Sequence, residues 1–356
     1  MWPSKKEQGQ GVKVAVVDTG VDKDNKQLAS AFGSGGGLSI AGGGKPYQDQ
    51  VGHGTKVAGI IAARPMEGSG FTGIAPGATI VPFKTTNSEK GSTANDLAKA
   101  IDKAVAQHVD VINISQGTDA SRDRLVPLEA AVKNAEDNGV LIVASAGNGG
   151  ADGGEKNMWP AAYSEYHSNV LAVAASDRNN ERAPFSQSGA FVNIAAPGVS
   201  MVSTVPDGGN CVDQGTSFAA PYAAGAAALL IAKHKHDEPG GKWKPEEVIW
   251  HLEKTAERVK RNRDIFIGWG VIDPVAALND NERPTGEPKP DKRADNAAGL
   301  NIQPVSVSLG ESAEDRRSRI AVYILGGGIF AVGAVAGSAI ALRDWRRKNS
   351  LNTRGG

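Results

Sequence analysis

An aspartate, a histidine, an asparagine and a serine in this chain each combine a reactive side chain with neighbours that leave it open to approach. Asp18 stands where an apolar run meets a turn, in Val17-Asp18-Thr19-Gly20-Val21-Asp22. His53 lies between two glycines at the start of a helix-like run, in Gly52-His53-Gly54-Thr55-Lys56-Val57-Ala58-Gly59. Ser217 opens an alanine-rich helix in Gln214-Gly215-Thr216-Ser217-Phe218-Ala219-Ala220-Pro221. A serine there has unsatisfied N–H groups around it and the positive end of the helix dipole beneath it. Both suit attack on a carbonyl and stabilisation of the oxyanion that forms. Asn148 follows an apolar strand in Ala144-Ser145-Ala146-Gly147-Asn148-Gly149-Gly150, where its amide could donate to a developing negative charge.

Taken singly, each residue has a plainer reading. Asp18 could be a turn former, and an Asp-Thr-Gly after an apolar strand also occurs in aspartic proteases. That chemistry needs two carboxylates, and with a single Asp-Thr-Gly the chain would have to dimerise. His53 could cap or pack a helix, Ser217 could be an ordinary N-cap, and Asn148 an ordinary turn residue.

Rigid elements must hold such residues. Apolar strand-like runs at 12–17, 79–83, 109–115, 140–144 and 170–174 alternate with helix-like runs at 53–63, 93–107, 125–138 and 217–235. Near-continuous apolar strands separated by helices predict a parallel sheet covered on both faces, with functional groups at the carboxyl ends of its strands. The fold class expected is therefore α/β, in three layers around a mostly parallel sheet.

Composition removes several function classes. The chain has 356 residues, 40% hydrophobic and 22% charged, enough for a sizeable core. With 39 basic against 39 acidic residues there is no global positive field, so nucleic acid is not an expected partner. A single cysteine, Cys211, excludes an intrachain disulfide and any multi-cysteine metal site.

In the chain order Asp, His, Asn, Ser, the four motifs together resemble the subtilisin-like serine proteases. The resemblance covers about residues 11–280. It includes Val111-Ile112-Asn113-Ile114-Ser115-Gln116-Gly117, Trp159-Pro160-Ala161-Ala162-Tyr163, Ala195-Ala196-Pro197-Gly198 and Gly268-Trp269-Gly270-Val271-Ile272-Asp273-Pro274. It implies that Ser217 is the nucleophile, His53 its base and later the acid, Asp18 the group that orients the imidazole, and Asn148 an oxyanion donor. It also implies that a polypeptide substrate lies along Ser115, Gln116 and Gly117, with Ser145 and Gly147 lining the side-chain pocket before the cut. The sequence departs from the family pattern at Gln116, which puts a polar amide on a wall that is usually apolar, and at Asp24-Asn25-Lys26-Gln27-Leu28, which replaces the usual His-Pro.

Cys211 is expected to be buried, and His234 with His236 to form a solvated helix end. Members of the family often bind calcium, but no ligand cluster is found here, so neither a metal nor another cofactor is expected.

The C-terminal part is of a different kind. Residues 281–319 are rich in Pro, Gly and charge and read as a linker. The 23 residues 320–342 carry no charge and, at about 1.5 Å per residue, would span roughly 34 Å as a single transmembrane helix. Arg343, Arg346, Arg347, Lys348 and Arg354 follow that span, whereas Arg316, Arg317 and Arg319 precede it. The bias places the tail 343–356 in the cytoplasm and the catalytic domain 1–280 outside a cell membrane. An anchor behind a Pro-rich tether resembles the mycosins, the membrane-bound subtilases of type VII secretion systems, and implies a secretion membrane complex as a partner. The alternative role is a scaffold for such a complex, with hydrolysis secondary. Only about ten residues precede the first strand, too few for a secretory signal or an inhibitory prosegment, so the true start is expected to lie upstream.

Overall fold

The computed structural model describes residues 8–33, 36–40, 44–88, 92–150, 156–235, 241–258 and 262–291, together with helical positions at 317, 320–323, 335 and 337–343. The chain divides into two compact units, Met1–Lys292 and Arg293–Gly356.

In the first unit the apolar runs form a seven-stranded sheet in the order β2-β3-β1-β4-β5-β6-β7, every neighbouring pair parallel. Its strands are β1 (Lys13–Asp18), β2 (Leu38–Ser39), β3 (Thr79–Lys84), β4 (Val111–Ile114), β5 (Leu141–Ser145), β6 (Val170–Ser176) and β7 (Ile194–Pro197). Alternate residues serve opposite faces. Val14, Val16, Leu141 and Val143 join one buried cluster, while Ala15, Val17, Ile142 and Ala144 join the other. Both faces must then be covered, which is why these strands read as unbroken apolar runs.

Helices α2 (Ala94–Ala106) and α3 (Arg122–Asp137) cover one face. Helices α1 (His53–Ala62), α4 (Thr216–Lys233), α5 (Pro245–Lys254) and α6 (Pro274–Asn279) lie with the other cluster. α2 begins cleanly because the Thr93 side chain accepts from the N–H of Asp96. α4 is apolar all round, as a helix running through a core must be. Gly225 lets it approach Ile74, where a Cβ would come within 2.7 Å of the isoleucine's own. A second, antiparallel pair, β8 (Met201–Thr204) and β9 (Asn210–Asp213), lies against α1: the hydroxyls of Ser203 and Thr204 donate to the carbonyls of Lys56 and Thr55.

The stretch read as the start of the linker packs on α5. Arg283 grips Glu247 through two hydrogen bonds of 2.9 and 2.8 Å, Lys254 pairs with Glu282 at 2.8 Å, and Arg258 pairs with Asp291 at 3.1 Å. His234, expected to be solvated, is buried and stacked on Trp243 with ring centroids 3.9 Å apart, because an apolar aromatic from the segment before α5 covers the end of α4. His236 lies outside the described residues. Cys211, expected to be buried, is half-exposed on β9, since that hairpin has only one covered face.

Most of the expected transmembrane span 320–342 also lies outside the described residues. Its described positions are helical, with exposed apolar side chains such as Val322, Val335 and Ile340. Among the described residues, no helix is long and apolar enough to cross a membrane.

Candidate active site

Asp18 is the last residue of β1 and is fully buried. Its Oδ1 accepts from the N–H of Thr19 at 2.7 Å and lies 2.7 Å from Nδ1 of His53. That contact ties the tautomer of the imidazole to the carboxylate, and His53 and Ser217 line the same cleft. His53 is the first residue of α1, and the glycines around it are required by geometry. Gly52 has φ 87°, and a Cβ on Gly54 would fall 2.0 Å from the carbonyl oxygen of Gly20.

Beneath the pair lies a second carboxylate. Asp49 Oδ1 accepts from the Thr19 hydroxyl and from the N–H groups of Val51 and Gly52, while Oδ2 accepts from the N–H and hydroxyl of Thr55, at 2.7 to 3.2 Å. The Thr19 hydroxyl in turn accepts from the N–H of Gly54 at 2.9 Å. The turn that carries Asp18 and the loop that carries His53 are thus bound into one unit. Lys84, beside Asp18 on β3 and 2% exposed, donates from Nζ to the carbonyls of Thr19 (2.7 Å) and Gln48 (3.1 Å). Burial pulls its pKa below the usual lysine value, and the charge of Asp49 opposes that shift.

Ser217 is the second residue of α4. Gly215 ahead of it has φ 149°, in the region that favours glycine. The Ser217 hydroxyl donates to the Ser115 carbonyl at 2.9 Å, and the ring of Phe218 sits 5.5 Å from that of His53. Asn148 follows β5. Its Oδ1 accepts both the N–H and the hydroxyl of Thr216, each at 2.9 Å. A backbone N–H can only donate, so the amide's orientation is fixed and its NH2 is left to serve the open side.

His53, Ser115, Gly117, Ser145, Gly147 and Asn148 share one cleft with Ser217, about 180 Å³ in volume. Gln116 also lines it, but its amide does not face a substrate. The side chain is 6% exposed, and Oε1 accepts from Ser92 at 2.6 Å and Thr85 at 3.4 Å, because those hydroxyls offer partners on the α2 side. Lys56, whose Nζ lies 5.7 Å from the centre of the Phe218 ring, pairs with Asp213 at 2.6 Å. Burial pushes the Asp213 carboxyl up, and its bonds from Lys56 and the Gln214 N–H outweigh this and hold it below the usual range.

Sequence reasoning passed over Asp49, Thr216 and Met158, all of which adjoin the cleft or its supports. Asp49 stands three residues before Gly52 and Met158 directly before Trp159, while Thr216 lies within the Ser217 motif itself. Among the described residues, no group of three or more His, Cys, Asp or Glu side chains could hold a metal ion.

A carboxylate-oriented imidazole, a serine at a helix start and a fixed side-chain amide in one cleft are the parts of an acyl-transfer site. Known proteins resemble this chain. The profile of the subtilase family (Peptidase_S8) matches residues 9–270. Subtilisin E of Bacillus subtilis (strain 168) is 35% identical over 270 residues, 76% of this chain, and the chain spans only 66% of that protein's length. Subtilisin Savinase of Lederbergia lenta is 36% identical over 269 residues, with 91% of its length covered. Among solved structures, MycP1 with its N-terminal propeptide removed aligns with a TM-score of 0.67 at 32% identity, over 78% of this chain and 93% of MycP1. The MycP3 protease of the type VII (ESX-3) secretion system aligns with a TM-score of 0.64 at 31% identity, over 76% of this chain and 83% of that one. With the family profile matching residues 9–270 and relatives at 35–36% identity, this chain belongs to the subtilase family.

Proposed function

We propose that the protein is a membrane-tethered serine endopeptidase of the mycosin kind, acting on polypeptides outside the cell as part of a type VII secretion system. The observation that carries the catalytic half is the 2.7 Å contact between Asp18 and His53 in the cleft that also holds Ser217 and Asn148. The Ser217 hydroxyl attacks the scissile carbonyl. His53 takes the proton and returns it to the leaving amine, and Asp18 stabilises the imidazolium between the two events. The Asn148 amide and the Ser217 N–H, at the positive end of α4, receive the oxyanion. An extended peptide adds alongside Ser115, Gln116 and Gly117.

The membrane half rests on the uncharged stretch 320–342, the exposed apolar side chains of its described helical positions, and the basic bias of 343–356. The secretion half rests on likeness to MycP1 and MycP3. A serine-directed phosphonate tests the chemistry: it should label Ser217 and abolish peptide cleavage, and cleavage that survives labelling would overturn the reading. Protease added to intact cells stripped of wall should cut within 292–319 and release a catalytic-sized fragment. Protection until the membrane is permeabilised would reverse the topology. Loss of secretion in a Ser217→Ala strain would tie the secretion role to hydrolysis, and secretion that fails only on deletion of the whole protein would make it a scaffold.

A further inference from the structure

We infer that Met158 plugs the primary side-chain pocket and restricts this enzyme to bonds that follow a small, uncharged residue. The inference rests on the peptidase reading above and deepens it. Gly117 and Gly147 both line the cleft beside Ser217, and neither brings a side chain to fill it. The side chain of Met158 lies between them. Its Cε is 3.0 Å from where a Cβ on Gly117 would stand, and its Cγ is 2.6 Å from where a Cβ on Gly147 would stand. The thioether therefore crosses the space that the two glycines leave.

The backbone at Met158 is held on both sides. Trp159 exchanges two 2.9 Å hydrogen bonds with Thr118, its ring lies 4.3 Å from that of Tyr163, and the Met158 carbonyl accepts from the N–H of Ala162 at 2.8 Å. Methionine is adaptable, but a side chain anchored on this segment and lying against both glycines narrows the space between them. The described part of the cleft at Ser217 holds about 180 Å³, and Met158 lines it together with the two glycines. An alanine or serine side chain fits what is left, and a phenylalanine ring does not.

The chemistry of the walls argues the same way. Apart from His53, the described lining consists of Ser, Gln, Gly, Asn, Met and Thr, with no acidic or basic side chain. A lysine, arginine, aspartate or glutamate entering the pocket would lose water and gain no counter-ion.

The test is a series of peptides, differing only in the residue before the cut, given to the full-length protein in detergent. Alanine and serine should exceed leucine by at least about tenfold and phenylalanine by about a hundredfold in kcat/KM, the range expected for steric exclusion from a small pocket. In Met158→Gly the phenylalanine-to-alanine ratio should rise at least about tenfold, mainly through KM, while Met158→Leu, which refills the space, should keep the wild-type order. A wild-type preference for leucine or phenylalanine, or a Met158→Gly profile equal to wild type, would overturn the inference. Paired aryl phosphonates carrying an alanine or a phenylalanine side chain separate this from the underlying reading. Equal rates of Ser217 labelling refute the plug alone, labelling by neither refutes the peptidase reading with it, and faster labelling by the alanine reagent supports both.

Discussion

Ser115 and Ser217 exchange hydrogen bonds: the hydroxyl of each donates to the backbone carbonyl of the other, at 2.8 Å from Ser115 and 2.9 Å from Ser217. The first bond has a cause in sequence. Pro221 stands four residues after Ser217 and has no N–H, so the Ser217 carbonyl lacks its helical donor and the Ser115 hydroxyl takes that place. Asn113, buried in β4, fixes the arrangement by donating from Nδ2 to the Ser115 hydroxyl at 2.9 Å. The position of Ser217 is thereby set from the middle of the sheet.

Ser115→Ala should therefore lower kcat by about tenfold, the scale of a lost hydrogen bond of roughly 1–1.5 kcal/mol, with a smaller change in KM. Ser115→Thr should restore most of it. Steady-state kinetics on one peptide decide the matter, and an alanine variant changed only in KM would mean that the hydroxyl serves substrate binding instead.

Removal of Ser217, His53 or Asp18, as Ser217→Ala, His53→Ala or Asp18→Asn, should each cost several orders of magnitude in kcat. Double variants should cost little more than the worse single one, because the groups act on one proton. Additive losses would show that the three do not work together.

Asn148→Ala should cost about 3 kcal/mol of transition-state stabilisation, seen in kcat. Thr216→Val keeps the backbone donor to Asn148 Oδ1 and removes only the hydroxyl, so its loss should be smaller, about threefold to tenfold. If Thr216→Val matched Asn148→Ala, the threonine would be acting on the oxyanion itself and not through the amide.

Stability should depend on pH through Glu253. Burial pushes this α5 carboxyl up to about 8, with the bond from Asn193 Nδ2 at 3.0 Å opposing the shift. The folded chain then holds a proton that the unfolded chain releases near pH 4.5, so stability falls as pH rises from about 4.5 to about 8 and levels off above it. His251 acts in the other direction. Burial lowers its pKa, so its contribution is present above the ordinary histidine range and is lost as pH falls through the folded value. Thermal melts of wild type and Glu253→Gln across pH 5–9 should converge at the acid end and separate towards pH 8, and parallel curves would refute the assignment.

A fragment ending at 292 should melt above one ending at 280, because only the longer one keeps the grip of Arg283 on Glu247 and of Arg258 on Asp291. These partly exposed pairs should give about 1–2 kcal/mol together, reduced by salt. Equal midpoints at low ionic strength would count against that packing.

The central strands were legible because both faces of β1, β4 and β5 are buried, which turns each into a short unbroken apolar run. β2 was not, since two exposed residues carry no pattern, and β8–β9 was missed because Val202 and Val212 lie open to solvent where an alternating signal fades. α5 begins with a proline at its first position and two glutamates in its first turn, a start signal that could have been read. In the site, Asp18, His53, Asn148 and Ser217 announce themselves by the glycines and small residues that clear space around them. Met158 acts by filling space and Asp49 by joining the N–H groups of its own loop to the hydroxyl of the distant Thr19, and neither is visible until the chain is folded.

In the tethered enzyme proposed above, the packing of 281–291 against α5 would set the working radius. In a chain anchored at 320–342, these eleven residues are withdrawn from the leash while their ion pairs hold, and could add up to about 40 Å of reach when they let go. Ionic strength, which weakens such pairs, would then decide how far from the membrane a peptide bond can be cut, with no change in the chemistry of the cut itself.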